Sequence, residues 1–226
     1  MNEPGTSRQR ILGRIASATK AVAKNPTELA TAYAALSRTY IQAGAMSAEA
    51  RVTRMIERLR EYDAEVIECA PSQLAGAIAL QLATSGRRTF VVPAGFPSKW
   101  LTAGFEWKID HDLTAAEIEE ADGVVTAATC GIADSGTIVL HHTEMEGRRV
   151  ITLLPDWHLC ILRASQVVEA LPEYFSLCSQ PPRLVTWISG PSATADIEMT
   201  RIKGVHGPRY LQVILVRDES AQVQVN

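Results

Sequence analysis

The chain has 226 residues, 46% of them hydrophobic and 21% charged, with a formal net charge of −3. That balance excludes a disordered chain, and 14 glycines with 11 prolines exclude a collagen-like or low-complexity one. The length allows one full domain plus an appendage with a sizeable core, and so small a net charge gives no global attraction for nucleic acid or an anionic membrane.

The charge is unevenly spread. Residues 1–60 carry ten Lys/Arg against four Asp/Glu, or +6, while residues 61–226 carry twelve against twenty-one, or −9. A basic segment therefore precedes an acidic main body, as a solvated helical face or as a docking arm for a protein partner. In chain order, Ile11, Leu12, Ile15 and Ala18 predict a helix over 7–20. A second helix is expected from Pro26 to Gly44, with Thr27 near its cap. A third is expected over 47–61, with Val52, Met55, Ile56 and Leu59 on one face. From there the pattern changes. Residues 64–70 predict a strand, 71–86 a helix closed by Gly86, and 87–95 a strand, together a βαβ unit that favours a parallel sheet. Residues 114–123 predict a short helix and turn. Four β-rich runs follow over 123–163 (GVVTAAT, GTIVLHH, RRVITLL and HLCILR), with a hairpin turn at Glu146-Gly147. A helix near 165–178, a strand LVTWIS, a polar turn GPSATADIE and a strand YLQVILV complete the chain. The expected division is a helical segment over 1–60 and one α/β domain with a β-rich insertion over 61–226.

Two stretches carry candidate chemistry. The first is the turn from Thr129 to Thr137. Gly131 and Gly136 there permit close approach of a ligand, Ser135 and Thr137 offer hydroxyls, and Asp134 is a candidate base, nucleophile or acceptor. The same residues also suit an ordinary turn between strands. The second is the loop from Ser189 to Glu198. There Gly190, Ser192 and Thr194 follow a strand, and Ser192 or Thr194 would cap a helix beginning at Ala195. Arg201, Lys203, His206 and Arg209 come next, so the stretch reads as an anion site or as plain capping with surface charge.

Asp156, His158 and Cys160 share a period of two, with His141 and His142 on an earlier β-run, but packed or solvated residues explain them better than a metal site. Cys130 reads as a buried thiol before a nucleophile. Trp100, Phe105 and Trp107 read as core. The cysteines at 69, 130, 160 and 178 show no CxxC spacing, which suggests neither a cluster nor structural zinc. No apolar run reaches the ~20 residues of a membrane span, and no secretory signal opens the chain, so a reducing, cytoplasmic location is expected.

The run from Ala121 to Arg163, ADGVVTAATCGIADSGTIVLHH…GRRVITLLPDWHLCILR, resembles the LUD domain. The stretch ISGPSATADIEMTRIKGVHGPRYLQVILV is similar to the matching signature of that family's lactate-utilization (LutC-like) members. The resemblance spans roughly residues 60–217. It implies an α/β fold of the NagB/RpiA/CoA-transferase type with a mostly parallel sheet and an N-terminal helical cap. It also implies a role in oxidising L-lactate to pyruvate beside two partner proteins that carry iron–sulfur clusters. Asp134 stands where the family often has Glu before Ser/Thr-Gly-Thr, and in the related CoA transferases a glutamate carries covalent chemistry. Three readings follow. One is a non-redox subunit binding a small anionic metabolite or cofactor of unknown identity between the two stretches. Another is a stand-alone enzyme on a phosphorylated or acyl-CoA substrate with Asp134 as its carboxylate. The last is a ligand-free scaffold.

Overall fold

The computed structural model describes residues 6–19, 25–37, 39, 42–178, 180, 182–194, 202–204 and 207–218. The chain divides into two units, Met1–Tyr40 and Ile41–Asn226. The first holds helices α1 (Ser7–Thr19) and α2 (Pro26–Ala34). The α2 helix is shorter than its apolar pattern suggests, and its cap is Asn25, whose side chain accepts the Thr27 N–H.

The second unit opens with α3 (Ala48–Glu61), capped by Ser47 and burying Val52, Met55, Ile56 and Leu59. Each such side chain contributes about 2 kcal/mol when withdrawn from water. The third helix thus lies with the sheet rather than with the first two. There follow β1 (Glu65–Cys69), α4 (Leu74–Ser85), β2 (Thr89–Pro93), β3 (Glu106–Asp110), α5 (Ala115–Glu119) and β4 (Gly123–Ala127). Next come β5 (Cys130–Ile132), β6 (Thr137–Leu140), β7 (Trp157–Arg163), β8 (Val167–Val168), α6 (Leu171–Leu177) and β9 (Thr186–Ile188). The last are β10 (Ala193–Thr194), β11 (Ile202–Lys203) and β12 (Tyr210–Val216).

Six strands form a wholly parallel sheet in the order β1-β12-β7-β4-β2-β3. Its central strands are apolar on both faces because both faces are covered. On β7, Trp157, Leu159 and Ile161 pack with α4, whereas Cys160 and Leu162 face α3 and the second sheet. That second sheet has the order β8-β5-β6-β9, so the β-rich middle of the chain is shared between two sheets. Among the described residues no helix is long and apolar enough to cross a membrane.

Several expectations needed correcting. β1 and β2 share the parallel sheet but are not neighbours, since β12, β7 and β4 lie between them. RRVITLL is not a strand. Gly147 turns the chain at φ 70°, Arg148 is held by the buried Asp110 carboxylate and the Leu113 carbonyl, and 149–152 makes one tight helical turn. The helix expected over 165–178 begins only at Leu171, since the β-branched pair Val167-Val168 adds a strand to β5. The stretch FEWKID, not recognised as a strand, is β3 at the sheet edge. Ala193–Thr194 pairs with β11 as a short strand, and the helix expected from Ala195 lies outside the described residues, as does all of 195–201.

Candidate functional site

A cavity of about 310 Å³ opens at the amino ends of β7 and β12. His158 and Leu211 line it from the parallel sheet, Arg149 and Thr152 from the tight turn, and residues 186–193 from β9 and its loop. The loop is placed by register. Ile138 of β6 pairs with Ile188 of β9, which sets the turn after β5 beside Ser189. The Ser135 and Thr137 hydroxyls lie 2.7 Å apart, and the Thr137 and Ser189 hydroxyls 2.8 Å apart. Gly190 then turns at φ 80°, where an added Cβ would stand 2.7 Å from the Tyr62 carbonyl oxygen at the end of α3. The chain therefore passes the helix end at a distance that a side chain would forbid.

Arg149 is anchored by a chain of hydrogen bonds. Its Nη1 donates to Thr186 Oγ1 at 3.1 Å, and the same oxygen lies 2.8 Å from His142 Nε2. His142 Nδ1 lies 2.8 Å from the Gly147 carbonyl. A carbonyl only accepts, so Nδ1 donates to it, and in the neutral tautomer that this fixes Nε2 accepts from the Thr186 hydroxyl. His142 adopts φ 59° to reach both partners, an unusual backbone state for a residue other than glycine. The guanidinium is thereby aimed from an exposed position toward the cavity it lines.

His158 is buried at the inner end, with Nε2 2.8 Å from Thr126 Oγ1. Burial pushes its pKa down to about 4, so the ring is neutral at pH 7. Among the described residues the arrangement joins one cation, a neutral imidazole and a run of hydroxyl and main-chain groups. Chemically it suits capture of a small anion.

The site residues expected from sequence do not all come together. Gly190 and Ser192 line the cavity, and Ser135 and Thr137 stand behind Ser189 in the hydroxyl chain. Gly136 packs on α3, where its Cβ would meet Arg58 at 2.7 Å. Gly131 is buried against Leu162 and Met55 in the core. Asp134 is exposed in the turn, with its N–H donated to the Glu169 carbonyl, and does not line this cavity. Arg201 and His206 lie outside the described residues. Thr194 and Lys203 are placed as strand backbone in β10 and β11.

Asp156 precedes β7 and pairs with Arg209 at 2.5 Å and 3.1 Å, while His158 and Cys160 are buried inside the sheet layer. No group of three potential metal ligands occurs among the described residues. Burial pushes the Cys130 and Cys160 thiols up to about 12, so both remain protonated. Sequence reasoning does not single out Arg149 and Thr186 in this lining, nor His142 behind Thr186. Arg149 falls in a run whose pattern suggests a strand, and the two adjacent histidines 141-142 are the available signal.

Comparison with known proteins supplies the family. The LUD domain model matches residues 52–216. Over 164 residues the chain is 42% identical to Lactate utilization protein C of Deinococcus radiodurans, spanning 71% of this chain and 76% of that one. Lactate utilization protein C of Bacillus velezensis is 34% identical over 122 residues, 50% of each chain. A solved structure of a DUF162 family protein from Deinococcus radiodurans matches with a TM-score of 0.66 and 36% identity, covering 76% of this chain and 99% of that one. The matched stretch runs from within α3 to the end of β12 and takes in the whole parallel sheet, so the chain belongs to the LUD domain family.

Proposed function

We propose that the chain acts in the utilization of L-lactate as a non-redox subunit that holds a small anion in the amino-end cavity. The observation that carries the process is the 42% identity, over 71% of this chain, to a protein named Lactate utilization protein C. The anchored Arg149 beside Gly190 and Ser192 supports the anion. Oxidation itself belongs to two partner proteins bearing iron–sulfur clusters. The cysteines here support that division, since Cys69, Cys130 and Cys160 are separately buried as free thiols and Cys178 is part-buried. Free thiols also fit a reducing cytoplasm.

In this reading Arg149 balances the anion's charge, the 189–192 loop supplies hydrogen bonds, and His158 offers a neutral polar contact without adding charge. The test has two arms. A strain lacking the gene should lose growth on L-lactate and regain it with the intact gene. Calorimetric titration of the purified chain with L-lactate, pyruvate and inorganic phosphate should find one that binds, with affinity falling about tenfold or more in Arg149→Gln. Unimpaired growth of the deletion strain would overturn the process. Binding untouched by Arg149→Gln would overturn the site.

A further inference from the structure

A second cavity lies at the opposite end of the parallel sheet. It encloses about 450 Å³ over the carboxyl ends of β4 and β7. The strand order reverses beside it: β2 leads outward to β3, whereas β4 leads inward to β7. Open parallel sheets form ligand crevices at the carboxyl ends of their strands where the order reverses.

The wall of this cavity is fixed by the protein itself. The Glu146 carboxylate is buried, yet it accepts from the Thr129 hydroxyl at 2.6 Å, the His141 N–H at 2.7 Å and the Thr143 N–H at 3.1 Å. The Met145 carbonyl accepts the Ala127 N–H, and the Glu144 carbonyl accepts the Gly95 N–H, each at 3.0 Å. The Gln166 side chain accepts the Arg163 N–H and donates to the Ala128 carbonyl. The wall is therefore organised without a ligand.

The chemistry of the lining is specific. Trp100, Met145 and Ile161 give an apolar surface. Among the described residues Arg163 is the one cation in the lining; its Nη1 pairs with Asp218 at 3.5 Å, and its side chain keeps 41% exposure beside that single contact. Glu144 and Glu146 are both in the lining, so a second negative group on a ligand would meet like charge. A volume near the lower end of small-molecule sites suits a compact organic ligand.

We propose that this cavity binds a small organic acid with a single carboxylate on an apolar body. Arg163 takes the carboxylate, and Trp100, Met145 and Ile161 take the body. The site is separate from the amino-end cavity and does not depend on that reading.

The probe is 3-phenyllactate, titrated into the full chain and followed by backbone amide shifts. Saturable shifts at Thr129, Thr143 and Arg163 are expected, with Arg163→Gln weakening binding about tenfold. Glu144→Gln should admit the dianion phenylsuccinate, which the unaltered chain rejects; this gain does not depend on how well Arg163→Gln folds. Three results would overturn the proposal: no saturation by about 10 mM probe, shifts centred on residues 186–193 instead, or phenylsuccinate binding the unaltered chain as well as phenyllactate does.

Discussion

The two ends of the parallel sheet are walled differently. At the amino end, hydroxyls pass hydrogen bonds from Ser135 through Thr137 to Ser189, and from Arg149 through Thr186 to His142. At the carboxyl end, one buried carboxylate, Glu146, gathers three donors from two chain segments, Thr129 and 141–143. A neutral hydrogen bond contributes about 1 kcal/mol net, and one to a charged group about twice that. The Glu146 contacts are thus each the stronger kind, whereas the run from Ser135 to Ser189 is made of neutral ones. One fold in this way builds two differently bonded walls at opposite ends of the same strands.

The sharpest way to break this contrast is to remove each keystone. Glu146→Ala strands the His141 and Thr143 N–H groups and should cost about 4 kcal/mol, whereas Ser189→Ala should cost about 1 kcal/mol. Urea unfolding of both variants measures the difference, and equal costs would remove the distinction between the two walls.

The imidazole of His158 makes the amino end acid-sensitive. Its folded pKa of about 4 lies below the ordinary 6.5, so between those values the unfolded chain binds the extra proton. Stability should therefore fall as pH drops from 6.5 toward 4, by about 3 kcal/mol from this group, and be insensitive to it above 6.5. In His158→Gln that part of the acid slope should vanish, as read from unfolding midpoints across the range.

Gly190→Ala should cost about 2 kcal/mol by forcing Cβ against Tyr62 at a positive φ, with anion binding at the amino end disturbed and phenyllactate binding at the other end intact. The smallest effect belongs to Asp134→Ala. That side chain is exposed and outside the amino-end cavity, so stability should move by less than about 0.5 kcal/mol and anion affinity should stay level. A large loss of binding would restore this carboxylate to the site.

Much of the frame was legible before the structure. The apolar runs of β1, β2, β4, β7 and β12, and the face of α3, announce themselves because burial on a sheet or helix imposes a period. β3 escaped because Glu106, Lys108 and Asp110 interrupt its apolar residues, as suits an edge strand. β8 escaped because two residues are too few to show a period. For the candidate sites, the stretches around Ser135 and Ser192 stood out by their small polar residues. Arg149 did not, because its partner Thr186 lies 37 residues away, nor did Glu146, whose side chain joins its own turn to Thr129, 17 residues away.

By itself the sequence determined an α/β chain of the LUD type, with a basic start, an acidic body and scattered thiols, since composition, spacing and motif are local properties. Only the tertiary structure decided the order of the parallel strands and the pairing of Ile138 with Ile188. It also decided which of the small polar residues face a cavity and which, like Gly131, are packed in the core. Such contacts join segments far apart in the chain, and their energy depends on geometry that no local pattern encodes.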